Sequence, residues 1–562
     1  MAQLRPWLVR CCVFAGVLCV VTVVCVCVLA SFDKGCASGS YRLAAVSADS
    51  RRCSEIGKKI LQQGGSAVDG AIAALLCTSL VNPQSMGIGG GSIVTIRDTS
   101  GQSAVKVYNF RETVPQSYKR NLLEDCPKTF SLSSGSQWIG VPGELRGYET
   151  LHEQYGRLPW NKLFEPSVKL AREGIPLPDY LANFLNTSLV RYLVESTSLC
   201  DIFCNKNRTV LKKGDTLKYT KLAETMETVG KSGAEAFYSG KIGSALIEDV
   251  SATGGTLTLE DLKGFKVRVD HALQVPLGDT VMHIPPPPAG GPLLAFILQL
   301  MREFVPNPKS LDADQKIQMY HRYVEAAKFA NGQKKAIRDP PFNKAKSAAH
   351  LTDPSFIAHI KDLISNQTHD NSIYSSVTPP PDNFGTTHVS VLDENGLAVS
   401  ATSTINQVFG GAVYSPQTGI ILNNELADFC HRADVIKPGE QPPSSMTPVI
   451  LETKSGGLLV IGGSGGSMIT SAVALSIMNR LWLKMSLKDA IAAPIVFVDS
   501  KNNVNFEPGF DESVIEGLRS LGHKVGNWPF FLNVVNAVER EREGGCISAF
   551  SDSRKFGETA GY

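Results

Sequence analysis

The chain has 562 residues, 43% of them hydrophobic, and a formal net charge of +2. It exceeds one typical domain and can bury a large core. A near-neutral balance gives no reason to expect a nucleic-acid partner, and no Cys/His cluster has zinc spacing.

Cys11 to Ala30 is an uncharged run of about 20 residues, enough at 1.5 Å rise to cross a roughly 30 Å hydrocarbon core. Arg5 and Arg10 precede it, which places the short N-terminal side in the cytoplasm. Residues 1–10 then form a tail, 11–30 a signal-anchor helix, and the rest lies outside the cytosol. The expectation is a single-pass type II protein of the plasma membrane. A cleaved signal peptide is the competing reading, but its apolar core is usually only 7–15 residues. Of 13 cysteines, Cys11, Cys12, Cys19, Cys25 and Cys27 belong to this run. The others lie in what should be an oxidising compartment. Cys200 and Cys204 are close enough for a local clip, and Cys53 and Cys77 flank two predicted helices. Sequons at Asn186, Asn207 and Asn366 suit an exposed, glycosylated surface.

Ala44–Ser50 reads as a short strand, followed by helices over Arg52–Gln63 and Ser66–Leu80, the second with a Ser66 cap. Strands follow at Ser92–Arg97 and Ser103–Phe110. The middle, 140–360, reads as mostly helical, and 364–385, with Pro379-Pro380-Pro381, as an exposed flexible segment. Strands return near 413–422, 448–453 and 457–462, before a helix over Met468–Lys484. Strands thus collect at the two ends of the body.

Between them, Thr386–Leu392 and Leu397–Asn406 flank Asp393-Glu394-Asn395-Gly396, which suits a tight hairpin loop. A three-residue loop pairs Asp393 with Leu397 and places Thr386 opposite Thr404. One face then carries Thr386, His388, Ser390, Ser400, Thr402, Thr404 and Asn406; the other carries Val389, Val391, Val399, Ala401 and Ile405. The apolar face suits core and the polar face suits a reaction. Threonine is a weak nucleophile without a base beside it, and a chain-terminal amine is one such base. A cut at Gly385-Thr386 would release that amine. The alternative is a Thr-rich hairpin favoured by side-chain branching alone.

Two glycine motifs need separate treatment. Gly87–Gly91 follows a helix and precedes a strand, the reverse of a dinucleotide loop, and suits a turn or close packing. Gly462-Gly463-Ser464-Gly465-Gly466 fits a nucleophile elbow, with Asp499 and His523 following in order. A serine hydrolase built on Ser464 is therefore one alternative, and an inactive cell-surface scaffold is another. The same glycines could instead offer amides to an oxyanion, with Ser464 as a turn residue.

Thr386-Thr-His-Val-Ser-Val391, Ser403-Thr-Ile-Asn406, Ile421-Leu-Asn-Asn-Glu-Leu-Ala-Asp428, Ser444-Ser-Met446 and Gly462–Gly466 together resemble the gamma-glutamyltransferases (glutathione hydrolases). Asn109-Phe-Arg-Glu-Thr113, Ser85–Gly91 and Trp138-Ile-Gly-Val-Pro-Gly-Glu144 extend the resemblance upstream. Pro529–Val535 and Ser551–Lys555 with Gly561-Tyr562 are most similar to the vertebrate leukotrienase branch (the gamma-glutamyltransferase 5 type). The resemblance implies an α+β N-terminal-nucleophile hydrolase, a four-layer αββα sandwich. It implies a precursor that cuts itself into a large subunit, 31–385, and a small subunit, 386–562. Thr386 would be the nucleophile, Thr404 its hydrogen-bonding neighbour, and Gly465 and Gly466 the oxyanion donors. Arg111, Ser444 and Ser445 match carboxylate-binding positions, and Asn406, Glu425 and Asp428 ammonium-binding ones. Arginine grips a carboxylate with two donors and acidic pairs suit an ammonium. Cys53–Cys77 and Cys200–Cys204 are the implied disulfides; the pairing of Cys36, Cys126, Cys430 and Cys546 stays open. Substrates would be glutathione and its S-conjugates, including leukotriene C4, with water, amino acids or dipeptides as acceptors. No metal or organic cofactor is implied.

Overall fold

The computed structural model describes residues 36–37, 39–99, 105–128, 132–304, 311–343, 348–374, 385–528 and 531–562. The expected tail and membrane anchor, and Pro379–Pro381, lie outside the described residues. Among the described residues no helix is long and apolar enough to cross a membrane.

Two seven-stranded sheets dominate. Their strands are β1 Ser40–Tyr41, β2 Ala45–Ala48, β3 Gly91–Arg97, β4 Lys106–Asn109, β5 Arg268–His271, β6 Leu273–Leu277, β7 Thr280–Ile284, β8 Thr386–Leu392, β9 Ala398–Thr404, β10 Val449–Thr453, β11 Leu458–Ser464, β12 Val534–Arg540, β13 Ile547–Ser551 and β14 Glu558–Gly561. One sheet runs β14-β2-β8-β9-β3-β4-β5 and the other β1-β13-β12-β11-β10-β7-β6. Every neighbouring pair in both is antiparallel. Helices α1 Arg51–Gln62, α2 Ala67–Val81 and α3 Glu144–Tyr155 cover the first sheet. Helices α4 Gly291–Met301 and α6 Met468–Leu481 cover the second, and α5 Ala313–Gln333 packs on α4. The layers are helix, sheet, sheet, helix, as the resemblance implied.

Local chemistry explains the elements that position the hairpin. Ser66 and Asp69 form a capping box at the start of α2, with Asp69 N–H on Ser66 Oγ at 3.1 Å and Ser66 N–H on Asp69 Oδ2 at 2.9 Å. Every residue of α2 is buried, as expected of a helix of small and apolar side chains on all sides. The hairpin has the expected register: Thr386 lies opposite Thr404, Asp393 N–H bonds Leu397 O at 3.1 Å, and Gly396 closes the loop at φ +80°.

The polar face differs from expectation over most of its length. It is the seam between the sheets. Ser390 Oγ donates to Asn536 O (3.2 Å), Ser400 Oγ to Ile461 O (3.0 Å) and Thr95 Oγ1 to Pro448 O (2.7 Å). His388 is buried between Thr402 and Ser390, and burial pushes its pKa down to about 3, so it stays neutral. Gly462 makes room for it, since a Cβ there would stand 2.3 Å from the imidazole. Short hydroxyl side chains donate to carbonyls of the facing sheet, so polar groups are satisfied without water. The Thr386 end of this face reaches a pocket.

Three further expectations need correction. The middle is mostly helical, as expected, but strands do not collect at the two ends alone: β5, β6 and β7 lie within it and complete the far sides of both sheets. The strand near 413–422 is two short strands, Val413–Tyr414 and Ile421–Leu422, around a turn. The segment after 364 is exposed at Asn366 but anchored by Tyr374, which is 1% exposed.

Among the described residues, four disulfides staple the fold. Cys53–Cys77 and Cys200–Cys204 form as implied. The open set resolves as Cys36–Cys546 and Cys126–Cys430. Asn186, Asn207 and Asn366 are all exposed.

Candidate active site

Thr386 begins β8 in a buried corner. Its Oγ1 faces Thr404 Oγ1 at 3.4 Å, long for a hydroxyl pair. Thr404 Oγ1 donates to Gly385 O at 2.6 Å and accepts from Asn406 N–H at 2.8 Å. The Thr404 hydroxyl therefore polarises the carbonyl of the Gly385-Thr386 bond while lying next to the threonine that could attack it. Gly385 fits this corner because it has no side chain: a Cβ would stand 2.5 Å from Asn406 O and 2.6 Å from Gln407 O.

A second set of groups holds Thr386 from the other side. Lys555 Nζ donates to Thr386 O at 2.7 Å and to Asp49 Oδ2 at 2.6 Å. Asn536 Nδ2 bonds Asp49 Oδ1 and His388 O, both at 2.7 Å, and Thr387 Oγ1 also donates to Asp49. Sequence reasoning missed Asp49, Lys555 and Asn536. Asp49 follows the end of β2, Lys555 ends the turn before β14 and Asn536 lies in β12, so they are far apart in sequence and nothing local joins them.

Arg111 is fully buried, not a surface charge. Its Nη1 pairs with Glu425 Oε1 at 2.5 Å and Nη2 with Asp428 Oδ2 at 2.6 Å. Nε donates to Pro442 O at 2.7 Å and Nη2 to Pro443 O at 3.1 Å, just before Ser444 and Ser445. Ser444 Oγ accepts from Met446 N–H at 3.1 Å, and Ser445 is partly buried. The structure thus joins Arg111, Glu425, Asp428 and the Ser444-Ser445 loop into one cluster. Asn406 reaches it through Asn424, whose carbonyl takes Asn406 Nδ2 at 2.9 Å. Strand register ties the cluster to Thr386. Thr386 pairs with Thr404, Thr404 with Gly91, and Ile93 with Asn109, so two residues on Gly91 faces Arg111. The four form a row across adjacent strands spaced about 4.8 Å apart. The close packing expected at Gly87–Gly91 is real, since a Cβ on Gly90 would meet Thr404 O at 2.1 Å.

The cluster has unmet bonding capacity. Glu425 Oε2 and both carboxylate oxygens of Glu112 are buried without a partner. Burial pushes Glu425 up to about 8, with Arg111 opposing and Asp428 adding to the rise. Burial, then Glu425, holds Glu112 well above its ordinary value. Burial alone would lower the Arg111 pKa, but Glu425, Asp428 and Glu112 together keep it above normal. Glu112 was also missed; it sits beside Arg111 in the sequence but reads there as an ordinary strand-end charge.

Gly465 lines the small pocket that contains Gly385 and Thr386, along with Ser464 and Lys555. Gly465 and Gly466 adopt φ +118° and +60° before α6. Among L-residues such angles are costly, so the turn requires glycine here. The Ser464 triad does not assemble. His523 takes Lys328 Nζ on Nδ1 at 3.0 Å and bonds His321 Nδ1 through Nε2 at 2.8 Å. Asp499 holds its own turn through Lys501 N–H (2.8 Å) and Asn503 N–H (2.9 Å). His321, Glu325 and His523 are grouped closely enough to hold a metal ion, but the Lys328 ammonium bonds into that group.

Two stacked antiparallel sheets between helical layers, with a threonine starting a central strand, define the N-terminal-nucleophile hydrolase class. The gamma-glutamyltranspeptidase family profile matches residues 53–562. The chain belongs to that family of glutathione hydrolases and gamma-glutamyltranspeptidases, and is an enzyme of it. It is 47% identical over 549 residues to "Glutathione hydrolase 5 proenzyme" of Rattus norvegicus, covering 95% of each chain. It is 46% identical over 564 residues to the Homo sapiens protein of that name, again covering 95% of each. The cephalosporin acylase from Bacillus halodurans shares the fold, with a TM-score of 0.83 at 22% identity over 93% of this chain and 96% of that one.

Proposed function

We propose that this protein removes the gamma-glutamyl group from glutathione and glutathione S-conjugates, leukotriene C4 among them. It would do so as a membrane-anchored ectoenzyme that first cuts itself at Gly385-Thr386. The observation that carries this reading is the 2.6 Å bond from Thr404 Oγ1 to Gly385 O beside the Thr386 hydroxyl. In maturation, Thr386 Oγ1 attacks the Gly385 carbonyl, the peptide bond becomes an ester, and water hydrolyses it. That frees the Thr386 amine. In turnover the amine takes the Thr386 hydroxyl proton as Oγ1 attacks the gamma-amide carbon. The proton passes to the departing cysteinyl nitrogen, leaving a gamma-glutamyl ester. Water or an acceptor amine then releases it. Gly465 and Gly466 amides would stabilise the oxyanion. Arg111 with Ser444 and Ser445 would take the α-carboxylate, and Glu425, Asp428 and Asn406 the ammonium.

The relatives' name, glutathione hydrolase proenzyme, supports both the substrate and a precursor. The anchor at 11–30, a type II plasma-membrane topology and glycans at Asn186, Asn207 and Asn366 complete the proposal. Thr386→Ala tests it: on a reducing gel the variant should remain one polypeptide with no release of glutamate from glutathione. Two fragments from that variant would remove Thr386 from its role.

A further inference from the structure

Beyond the corner that holds Thr386 runs an apolar groove with no assigned use. Its volume is about 340 Å³, within the roughly 300–1,000 Å³ of small-molecule sites. Tyr180, Phe184, Leu189, Val190, Val408 and Phe556 are among its lining residues. Tyr180, Phe184, Val408 and Leu532 also line the pocket of Thr386 and Gly465, so the two spaces are adjacent and share these four side chains.

Sheet order gives the groove a direction. Arg111 lies on the β9-β3-β4 side of Thr386, at the end of the row described above. Lys555 and Phe556 lie on the opposite side, leading into β14, beyond β2. A gamma-glutamyl group anchored at Arg111 and attacked at Thr386 therefore points its leaving group toward Phe556. In a glutathione conjugate the sulfur is four covalent bonds from the attacked carbon, so its substituent enters the groove.

The rim is also costly to maintain. Leu189 and Phe556 are 51% and 57% exposed. Phe556 holds φ +56°, a left-handed angle that disfavours a bulky side chain. The neighbouring Lys555 contacts Thr386 O at 2.7 Å, so the strained turn that supports the nucleophile also presents a phenyl ring at the groove.

We infer that this groove binds the apolar S-substituent of glutathione conjugates and sets their preference by hydrocarbon length. The inference rests on the gamma-glutamyl orientation proposed above. The test uses mature full-length enzyme with glutathione and its S-methyl, S-butyl and S-octyl conjugates. Wild-type kcat/KM should rise about tenfold from S-methyl to S-octyl, mostly through KM, because partial burial of each methylene favours binding. Phe556→Gly relieves the left-handed strain, so folding is not at risk; combined with Leu189→Ser it should cut that gradient to about threefold or less. Glutathione itself should be cleaved within about twofold of wild type, since it lacks the substituent. A flat wild-type gradient, or an unchanged gradient in the double variant, overturns the groove while glutathione cleavage still upholds the parent reading. If wild type does not cleave glutathione, the gamma-glutamyl reading fails and this inference with it.

Discussion

Two buried charge clusters in this molecule use the same ingredients and end in opposite states. Around Arg111, one guanidinium faces Glu425, Asp428 and Glu112, and three carboxylate oxygens of Glu425 and Glu112 have no partner. Around Lys328, every polar atom is matched. Lys328 Nζ donates to His523 Nδ1, His523 Nε2–H to His321 Nδ1, and His321 Nε2–H to Ser365 O at 2.8 Å. Glu325 accepts from Lys328, from Thr368 at 2.8 Å and from Tyr374 at 2.6 Å. Burial, then Lys328, pushes His523 down to about 2, so the chain of donors is fixed. Bury a charge set with every bond met and the result is a rivet between α5, the 365–374 segment and the chain at 523. Leave capacity unmet, and a ligand with complementary charge has something to complete.

The largest expected effect breaks the rivet. Lys328→Met leaves Glu325 buried without its cation and should cost about 3–5 kcal/mol of stability in denaturant unfolding. The kcat/KM of the folded fraction should not change. A tenfold loss in kcat/KM at unchanged stability would merge the two clusters into one functional unit.

Arg111→Lys tests the other cluster. A point charge cannot reproduce the fork that now spans Glu425, Asp428 and two carbonyls. A charged hydrogen bond contributes about 1.5–3 kcal/mol, so kcat/KM for glutathione should fall roughly ten- to hundredfold, mainly through KM. An unchanged KM would detach this cluster from the substrate.

The third effect is smaller and reads the same site by pH. Glu425 must be ionised to meet an ammonium, and its pKa is raised to about 8. A raised carboxyl is protonated below that pH and charged above it, so kcat/KM should rise about tenfold between pH 7 and 9. The stability sign is opposite. The unfolded carboxyl ionises near 4.5, so between there and the raised value the folded state binds more protons and loses stability as pH rises. Glu425→Gln should flatten the activity profile; a persistent tenfold rise would assign it to another group.

What the sequence could reveal follows from how local each cause is. The hairpin register was readable because Asp393–Gly396 fixes the loop, and alternation then fixes both faces. The use of the polar face was half misread: periodicity reports that Ser390 and Ser400 point together, not that a second sheet waits there with free carbonyls. Arg111, Glu425 and Asp428 were legible as a family pattern, yet nothing in their spacing announced that they would pair with one another. Lys555, Asp49 and Asn536 meet only through the strand order β14-β2-β8 and its stacking on β12. Strands β5 to β7 went unseen because they are short and lie amid helices. Four unassigned cysteines allow three pairings, and sequence does not choose.

The observed pairing matters if the chain is cut at Gly385-Thr386 as proposed. Cys36–Cys546 and Cys126–Cys430 each join a residue before Gly385 to one after Thr386, across 510 and 304 positions. Cutting the junction therefore opens the thread without releasing a piece. The two polypeptides should migrate as one species on a non-reducing gel and as two after thiol treatment; separation without thiol would show that the bridges do not persist. Since Cys430 directly follows the 425–429 turn that carries Glu425 and Asp428, dilution alone cannot take the acidic pair away from Arg111. Its loss requires a reductant, so the lifetime of the assembled site is governed by the redox chemistry of its surroundings rather than by protein concentration.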